Sequence, residues 1–277
     1  MPRIKALITV TTYPLPSRSY DELVCTAGVL ENGDWIRIYP VPLSFLKGTG
    51  KFKFKGGVKY TWIELDLQKR KKSDDFRPES YSPVNYDFKD FKVIERLDTK
   101  GNWLKRKEFC LANVYHDLSI LIEESKAPTN KSLATYKPKR IIGLDWEEDE
   151  REWKNEWQEL RKQGDLFTAE PTNDISIPKL PYKFFYKFED ASGQIRRLMI
   201  EDWEIGQLFW NCLKYAEGNE AVALQKVKEK YEDTFLNKND VYLFLGTTKE
   251  WHMRRSKNPF VIIGVFYPKL EAQTSLF

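Results

Sequence analysis

The chain has 277 residues, 41% hydrophobic and 31% charged, with seventeen Phe, fourteen Tyr and nine Trp, which excludes general disorder and suits one large domain or two modest ones. No apolar run is long enough to cross a bilayer, and the N-terminal MPRIKALITVTTYP continues into a patterned strand without a small-residue cleavage site, so neither a membrane partner nor a signal peptide is expected. The formal net charge of +4 permits nucleic acid as a partner without announcing it.

The first hundred residues read as β structure. KALITVTT is a strand, and ELVCTAGVL and DWIRIYPV are two strands joined at Glu31-Asn32-Gly33-Asp34, where Asn-Gly supplies the positive φ of a tight hairpin. KFKF and YTWIELDLQ continue the pattern, punctuated by Gly48, Gly50, Gly56 and Gly57. Short strands at this spacing favour a small barrel over a parallel sheet with helical crossovers. A helical connector is expected over residues 101–170, with one helix near residues 104–124 and a second over residues 148–162. Trp153, Trp157 and Leu160 stand at helical spacing in the second, and the acidic run at residues 147–150 suits the positive end of its dipole.

AEPTNDISIPKLP, rich in Pro, Asn and Asp, reads as the linker to a C-terminal domain over residues 171–268. There YKFFYKFED and IRRLMI form a hairpin. Ile205, Leu208, Phe209, Cys212 and Leu213 share one helix face, and Ala221, Leu224, Val227 and Tyr231 share another. VYLFLGTT and FVIIGVFYP are apolar strands joined by the polar loop KEWHMRRSKNP, and residues 269–277 read as a free tail. The expected fold class is α+β: an N-terminal barrel, a helical connector and a compact C-terminal α+β domain.

Candidate sites follow from pattern. In DWIRIYP, alternation sends Ile36 and Ile38 to one face and Trp35, Arg37 and Tyr39 to the other. An arginine between two aromatics is a platform for stacking bases; alternatively the rings are covered packing and Arg37 is a paired structural residue. KFKFKGGVKYTW interleaves Lys51, Lys53, Lys55 and Lys59 with aromatics. On one strand face these cations would meet successive phosphates, or they would guard an exposed edge against aggregation. Lys69, Arg70, Lys71 and Lys72 extend a basic surface or belong to a solvated loop. Arg254 and Arg255, beside Trp251 and His252, are the second choice for nucleic-acid contact.

Catalytic signals are poor. His116 and His252 are the only histidines, and His252 reads as a surface residue. Cys25, Cys110 and Cys212 are scattered among apolar neighbours, as in reduced thiols of a cytoplasmic protein, with neither a disulfide framework nor a zinc knuckle. The Asp-x-Lys patterns at Asp87-Phe88-Lys89 and Asp90-Phe91-Lys92 are common by chance. Glu201, Asp202 and Glu204 either hold a metal or, as preferred, cap and begin a helix. Walker, Rossmann, HExxH and GxSxG signatures do not occur. No catalytic residue is therefore assigned, and no metal or cofactor is expected.

The stretch VCTAGVLENGDWIRIYPVP resembles a signature of prokaryotic dual OB-domain proteins at Cys25, Ala27, Gly28, Gly33, Trp35, Ile36, Arg37 and Pro40. The resemblance implies an OB-like barrel and, by analogy, binding of oligonucleotides or nucleotides. The last five residues, Gln273-Thr274-Ser275-Leu276-Phe277, resemble the pentapeptide by which bacterial polymerases and repair factors bind the sliding clamp. Such a motif needs the Gln273 amide as an anchor and the Leu276 and Phe277 side chains to fill an apolar pocket; the alternative docks them on their own domain.

The leading expectation is a cytoplasmic bacterial protein that binds nucleic acid, DNA ahead of RNA, and is recruited to replication or repair sites by the sliding clamp. The alternative is a nucleic-acid- or nucleotide-processing enzyme, or a nucleotide sensor, of a mobile-element or phage-defence system. A small deep pocket lined by Trp35 and Arg37 would mark the sensor.

Overall fold

Alternate apolar residues define the first barrel. Ala6 and Ile8, Ile36 and Ile38, and Ile63, Leu65 and Leu67 stand two apart on three strands and fill one interior. The computed structural model describes residues 3–13, 23–42, 44–45, 48, 52–153 and 178–271. Strands β1 (Arg3–Thr11), β2 (Leu23–Val29), β3 (Trp35–Pro42), β4 (Thr61–Lys69) and β5 (Ser80–Pro83) pair in the order β1-β2-β3-β5-β4, and β4 returns to β1 to close an OB-like ring. The β3–β5 pairing is parallel and the others are antiparallel. Strand β6 (Lys92–Arg96) adds to β4 outside the closed ring.

The β2–β3 hairpin turns where Asn-Gly requires it: Gly33 has φ 83°, and the Leu30 N–H donates to the Asp34 carbonyl at 2.8 Å. Gly28 answers a different demand. A Cβ there would lie 2.2 Å from the Leu7 carbonyl oxygen, so the close approach of β2 to β1 needs glycine.

The second sheet comprises β7 (Val114–Tyr115), β8 (Leu133–Tyr136), β9 (Arg140–Glu148), β10 (Tyr182–Glu189), β11 (Ile195–Ile200), β12 (Tyr242–Thr247) and β13 (Phe260–Phe266). Its order is β7-β8-β12-β13-β11-β10-β9. β9, β10 and β11 form an antiparallel meander, β13 runs parallel to β11, and β12 is antiparallel to both β13 and β8. Only residues 137–139 separate β8 from β9. Taken as one bent strand, they pair with β12 on one flank and β10 on the other, which repeats the pairing order of the first barrel.

Among the described residues the longer helical segments are α1 (Lys100–Cys110), α2 (Leu118–Glu124), α3 (Trp203–Tyr215), α4 (Glu220–Lys228), α5 (Phe235–Lys238) and α6 (Lys249–Met253). A π-helical turn, Glu229–Thr234, joins α4 to α5. The Asp202 side chain caps α3 by accepting from the Glu204 N–H at 3.2 Å, as its position ahead of an apolar-periodic segment predicts. Among the described residues no helix is long and apolar enough to cross a membrane.

The sheets share a third core. β1 is apolar on both faces: Ala6 and Ile8 fill the barrel, while Leu7 and Val10 face outward onto Leu133, Phe244, Val261 and Ile263 of the second sheet. This explains why KALITV reads as a continuous apolar run and not as a half-buried strand.

Several expectations are corrected. KFKF forms no strand, because residues 52–60 run as coil and turns with positive φ at Gly56, Gly57 and Tyr60. Phe52 and Phe54 instead join Phe45 and Phe91 in an aromatic cluster on the barrel core, with ring centroids 5.1–5.9 Å apart. The single helix expected over residues 104–124 is divided: α1 stops at Cys110, and β7 intervenes before Asp117 caps α2. β9 runs through Glu148, and residues 149–153 are not helical. Pairing along the length of β10 overrides the dipole argument there; residues 154–162 lie outside the described residues. His252 is buried, its Nδ1 3.1 Å from Thr247 Oγ1 and its Nε2 against the Ser125 carbonyl. Residues 269–271, read as part of a free tail, are tied down: the Lys269 N–H donates to Asn102 Oδ1 at 2.7 Å, and Glu271 pairs with Lys107 at 2.6 Å.

Candidate nucleic-acid interface

Where the outward face of β2 and β3 parts from β11–β13, a cleft of about 490 Å³ opens between the sheets. Val10, Ala27, Leu133, Val261 and Ile263 supply its apolar floor, and six cationic and four acidic side chains line it. This composition, apolar with a few converging polar groups, is that of a small-molecule or base pocket. Its first wall is the β2–β3 face with the loop between β4 and β5, the surface that OB-like barrels use for oligonucleotides.

Alternation along β3 sends Arg37 outward into this region, where it is only 3% exposed. Its guanidinium donates to Ser80 Oγ at 3.3 Å, Ser132 Oγ at 2.8 Å and the Ser132 carbonyl at 3.3 Å. Ser132 in turn donates its N–H and hydroxyl to Glu79, at 3.0 and 2.7 Å. Arg37 thus meets neutral oxygens directly and a carboxylate only through Ser132. Burial lowers its pKa, and the neighbouring Arg77 lowers it further.

Arg77 holds the β4–β5 loop. It donates through Nε and an Nη to the two oxygens of Asp75, at 2.9 and 2.7 Å, and through the other Nη to the Thr247 carbonyl at 2.8 Å. Burial works to raise the Asp75 pKa, but the bidentate Arg77 prevails and holds it well below the ordinary carboxylate range. Lys249, on α6, donates to the Asp74 carbonyl, a second tie between this loop and the second sheet.

At the mouth, the Arg70 guanidinium lies 5.8 Å from the Tyr39 ring centroid. Tyr39 is 37% exposed, and among the described residues Arg70 has no carboxylate partner. On the far wall, Lys179 and Lys183 share Asp149, at 2.8 and 2.9 Å. Tyr13 donates to the Pro178 carbonyl at 2.7 Å and accepts from Trp210 Nε1 at 2.8 Å.

Glu201 directly follows β11 on the same wall. Its backbone is held, the N–H donating to the Ile262 carbonyl at 2.7 Å and the carbonyl accepting from the Tyr13 N–H at 3.1 Å. The residue lines the cleft, and its carboxyl has no hydrogen-bond or ion-pair partner among the described residues. Deep among protein atoms yet open to the cleft, it is pushed up to about 7 by burial.

Of the residues picked from pattern, Trp35, Arg37 and Tyr39 do share the outward face of β3. Trp35, however, packs edge-on against Phe244 at 5.1 Å, in the core between the sheets and not in the cleft. Lys53 and Lys55 are exposed in the coil after β3, and Lys51 lies outside the described residues. Lys59 is no phosphate contact: its side chain is 11% exposed and its ammonium lies 2.6 Å from Glu204 and 3.6 Å from Asp202. Lys53, Lys55 and Lys59 form no row because residues 52–60 form no strand to align them. Arg254 pairs with Glu250 at 2.8 Å on the exposed side of α6, and Arg255 is exposed at φ 51°; neither lines the cleft. Gln273, Leu276 and Phe277 lie outside the described residues. No group of three His, Cys, Asp or Glu residues capable of holding a metal occurs among the described residues.

Sequence reasoning missed the roles of Arg77, Asp75 and Glu201 at the cleft. The Asp75-x-Arg77 spacing was a usable local signal, whereas nothing near Glu201 pairs it with β2 and β3.

Residues 117–277, more than half of the chain, match the family described as domain of unknown function DUF8757. The chain belongs to that family. Residues 2–112, which hold the closed barrel and α1, match a second description, domain of unknown function DUF8758. No curated protein matches the chain. A solved structure, of a murine DNA binding protein bound with double-stranded DNA, aligns over 98% of this chain and 97% of that chain at 10% identity with a TM-score of 0.30, a likeness too loose to define a common fold.

Proposed function

We propose that the protein binds nucleic acid, taking an unpaired nucleotide into the cleft between its two sheets. The observation that carries this reading is the cleft itself: an apolar floor of base size, more cations than carboxylates around it, and the Tyr39–Arg70 pair at its mouth. Rings and guanidinium planes accept the π-face of any base, and cations at the rim, Arg70 among them, meet the phosphates. The repeated order of strand pairing supports the resemblance to dual OB-domain proteins.

Fluorescence anisotropy with single-stranded DNA, double-stranded DNA and single-stranded RNA, at several salt concentrations, tests this. Single-stranded DNA is expected to bind most tightly, weakening as salt rises. Tyr39→Ala is expected to weaken it roughly tenfold, the range of one lost stacking contact. Undetectable binding at low salt would overturn the reading.

Recruitment is proposed to run through Gln273, Leu276 and Phe277, as the likeness to the clamp-binding pentapeptide implies. In biolayer interferometry against a purified bacterial sliding clamp, the full chain is expected to bind and the Leu276→Ala/Phe277→Ala variant to lose binding with its melting temperature unchanged. A lowered melting temperature would instead place those side chains in the core.

A further inference from the structure

Glu201 is the one charged lining group of the cleft whose side chain the fold leaves unanswered among the described residues. Lys179 and Lys183 have Asp149, Arg77 has Asp75, Arg37 has the Ser80 and Ser132 oxygens, Arg70 has the Tyr39 carbonyl and Lys249 has the Asp74 carbonyl. A carboxyl set deep in an apolar-floored cleft is costly unless donors reach it, and its backbone is fixed on both sides by β13 and Tyr13. The side chain is therefore held ready for donors that arrive from the cleft.

We infer that Glu201 makes the cleft selective for guanine. This rests on the reading of the cleft as a nucleotide site. The reason is the pattern of donors on the bases. A carboxylate presents two acceptors side by side, and guanine alone among the common bases presents two adjacent donors, N1–H and N2–H, on its Watson–Crick edge. Adenine and cytosine each set one amino donor beside a ring acceptor, and thymine sets a single N–H between two carbonyls. A ring acceptor or carbonyl brought against the ionised carboxyl would leave both unpaired in a poorly hydrated site. The bidentate match is charge-assisted and fixes the ring plane, while the Tyr39 and Arg70 pair at the mouth is neutral to base identity.

The test is anisotropy of the full-length protein, at pH 8 and low salt, with four fluorescent heptadeoxynucleotides TTTXTTT in which X is G, A, C or T. The expected result is that X = G binds about tenfold more tightly than the other three, the size of one good bidentate base contact. Glu201→Gln, whose amide pairs one acceptor with one donor, is expected to abolish that preference. Glu201→Asp, which keeps the charge but shortens the reach, is expected to weaken all four while retaining the order. Equal binding of all four by the unaltered protein, or a preference for A or C, would overturn the guanine assignment and leave the cleft reading standing. Binding of none of the four would overturn both.

Discussion

Lys59→Met is expected to destabilise the protein by about 3–5 kcal/mol, the range for removing one member of a buried ion pair. Lys59 stands just before β4 of the closed barrel, and its partners Asp202 and Glu204 stand at the start of α3 on the second sheet, so the cluster fastens one half of the fold to the other. Although burial works against the charge, Asp202 and then Glu204 raise the Lys59 pKa well above the ordinary lysine range. Methionine matches the lysine stem in length but leaves the buried Asp202 carboxylate without its cation. The Asp202 Oδ2 already lacks a hydrogen-bond partner, and burial raises the Asp202 pKa against the pull of Lys59, so without the lysine the carboxyl takes up a proton more readily and the full loss is read at pH 8. Glu204, more exposed, can turn to water. Adding Asp202→Asn to Lys59→Met should recover much of the loss, because asparagine still caps α3 and carries no charge. Urea denaturation of the two variants measures this; a loss below about 1 kcal/mol for Lys59→Met would mean that the cluster does not fasten the sheets.

Glu201→Gln is expected to change stability in a pH-dependent way and to make the protein more stable at pH 8 than it is with glutamate. The native carboxyl is raised from 4.5 to about 7 by burial, so between those values the native state holds a proton that the unfolded chain has released. Stability therefore falls as pH rises from about 4.5 to about 7 and is level beyond, with a total of up to about 3 kcal/mol. Glutamine removes the group and with it the fall. Variant and parent should be equally stable near pH 4.5, and the variant should gain up to about 3 kcal/mol at pH 8. Urea midpoints at several pH values, without nucleic acid, give the difference curve; because it compares variant with parent, the titration of other groups cancels. A difference independent of pH would show that Glu201 is not held in a poorly hydrated site.

A carboxylate kept at such a cost fits a binding role, since stability is commonly given up at sites shaped for a partner. The two experiments on Glu201 are linked. If guanine supplies donors to the carboxylate, X = G oligonucleotide should stabilise the unaltered protein at pH 8 more than it stabilises Glu201→Gln.

Much of the first barrel was legible because its determinants are local. Asn32-Gly33 marks a turn that only a positive φ can make, and alternation along β3 separates Ile36 and Ile38 from Trp35, Arg37 and Tyr39 without knowledge of what lies on either side. The α3 cap and its apolar face, with Ile205 and Phe209 buried, were legible for the same reason: a 3.6-residue period and a capping aspartate act within one or two turns. On α4 the buried face is carried by Ala223, Leu224 and Val227 and not by Ala221, a shift by part of a turn that short-range periodicity does not resolve.

The tertiary structure decided the rest. Lys51, Lys53, Lys55 and Lys59 alternate like a basic strand, yet Phe52 and Phe54 on the same segment gain more by joining the barrel core, and that pull breaks the strand and turns Lys59 toward Asp202 and Glu204. Pattern shows that Arg37 leaves the barrel but not that it meets Ser132, 95 residues further on. Nor does pattern show that Glu201 faces the same cleft, because no local term joins β3 to β11. The sequence by itself determined the α+β class, the hairpin, the helix faces and which side of β3 looks outward, all effects of a few neighbouring residues. The pairing of two outward faces, and the cleft left where they part, required the shared core of Leu7, Val10, Phe244 and Val261, since what covers an apolar face is settled by the balance of burial over the whole chain.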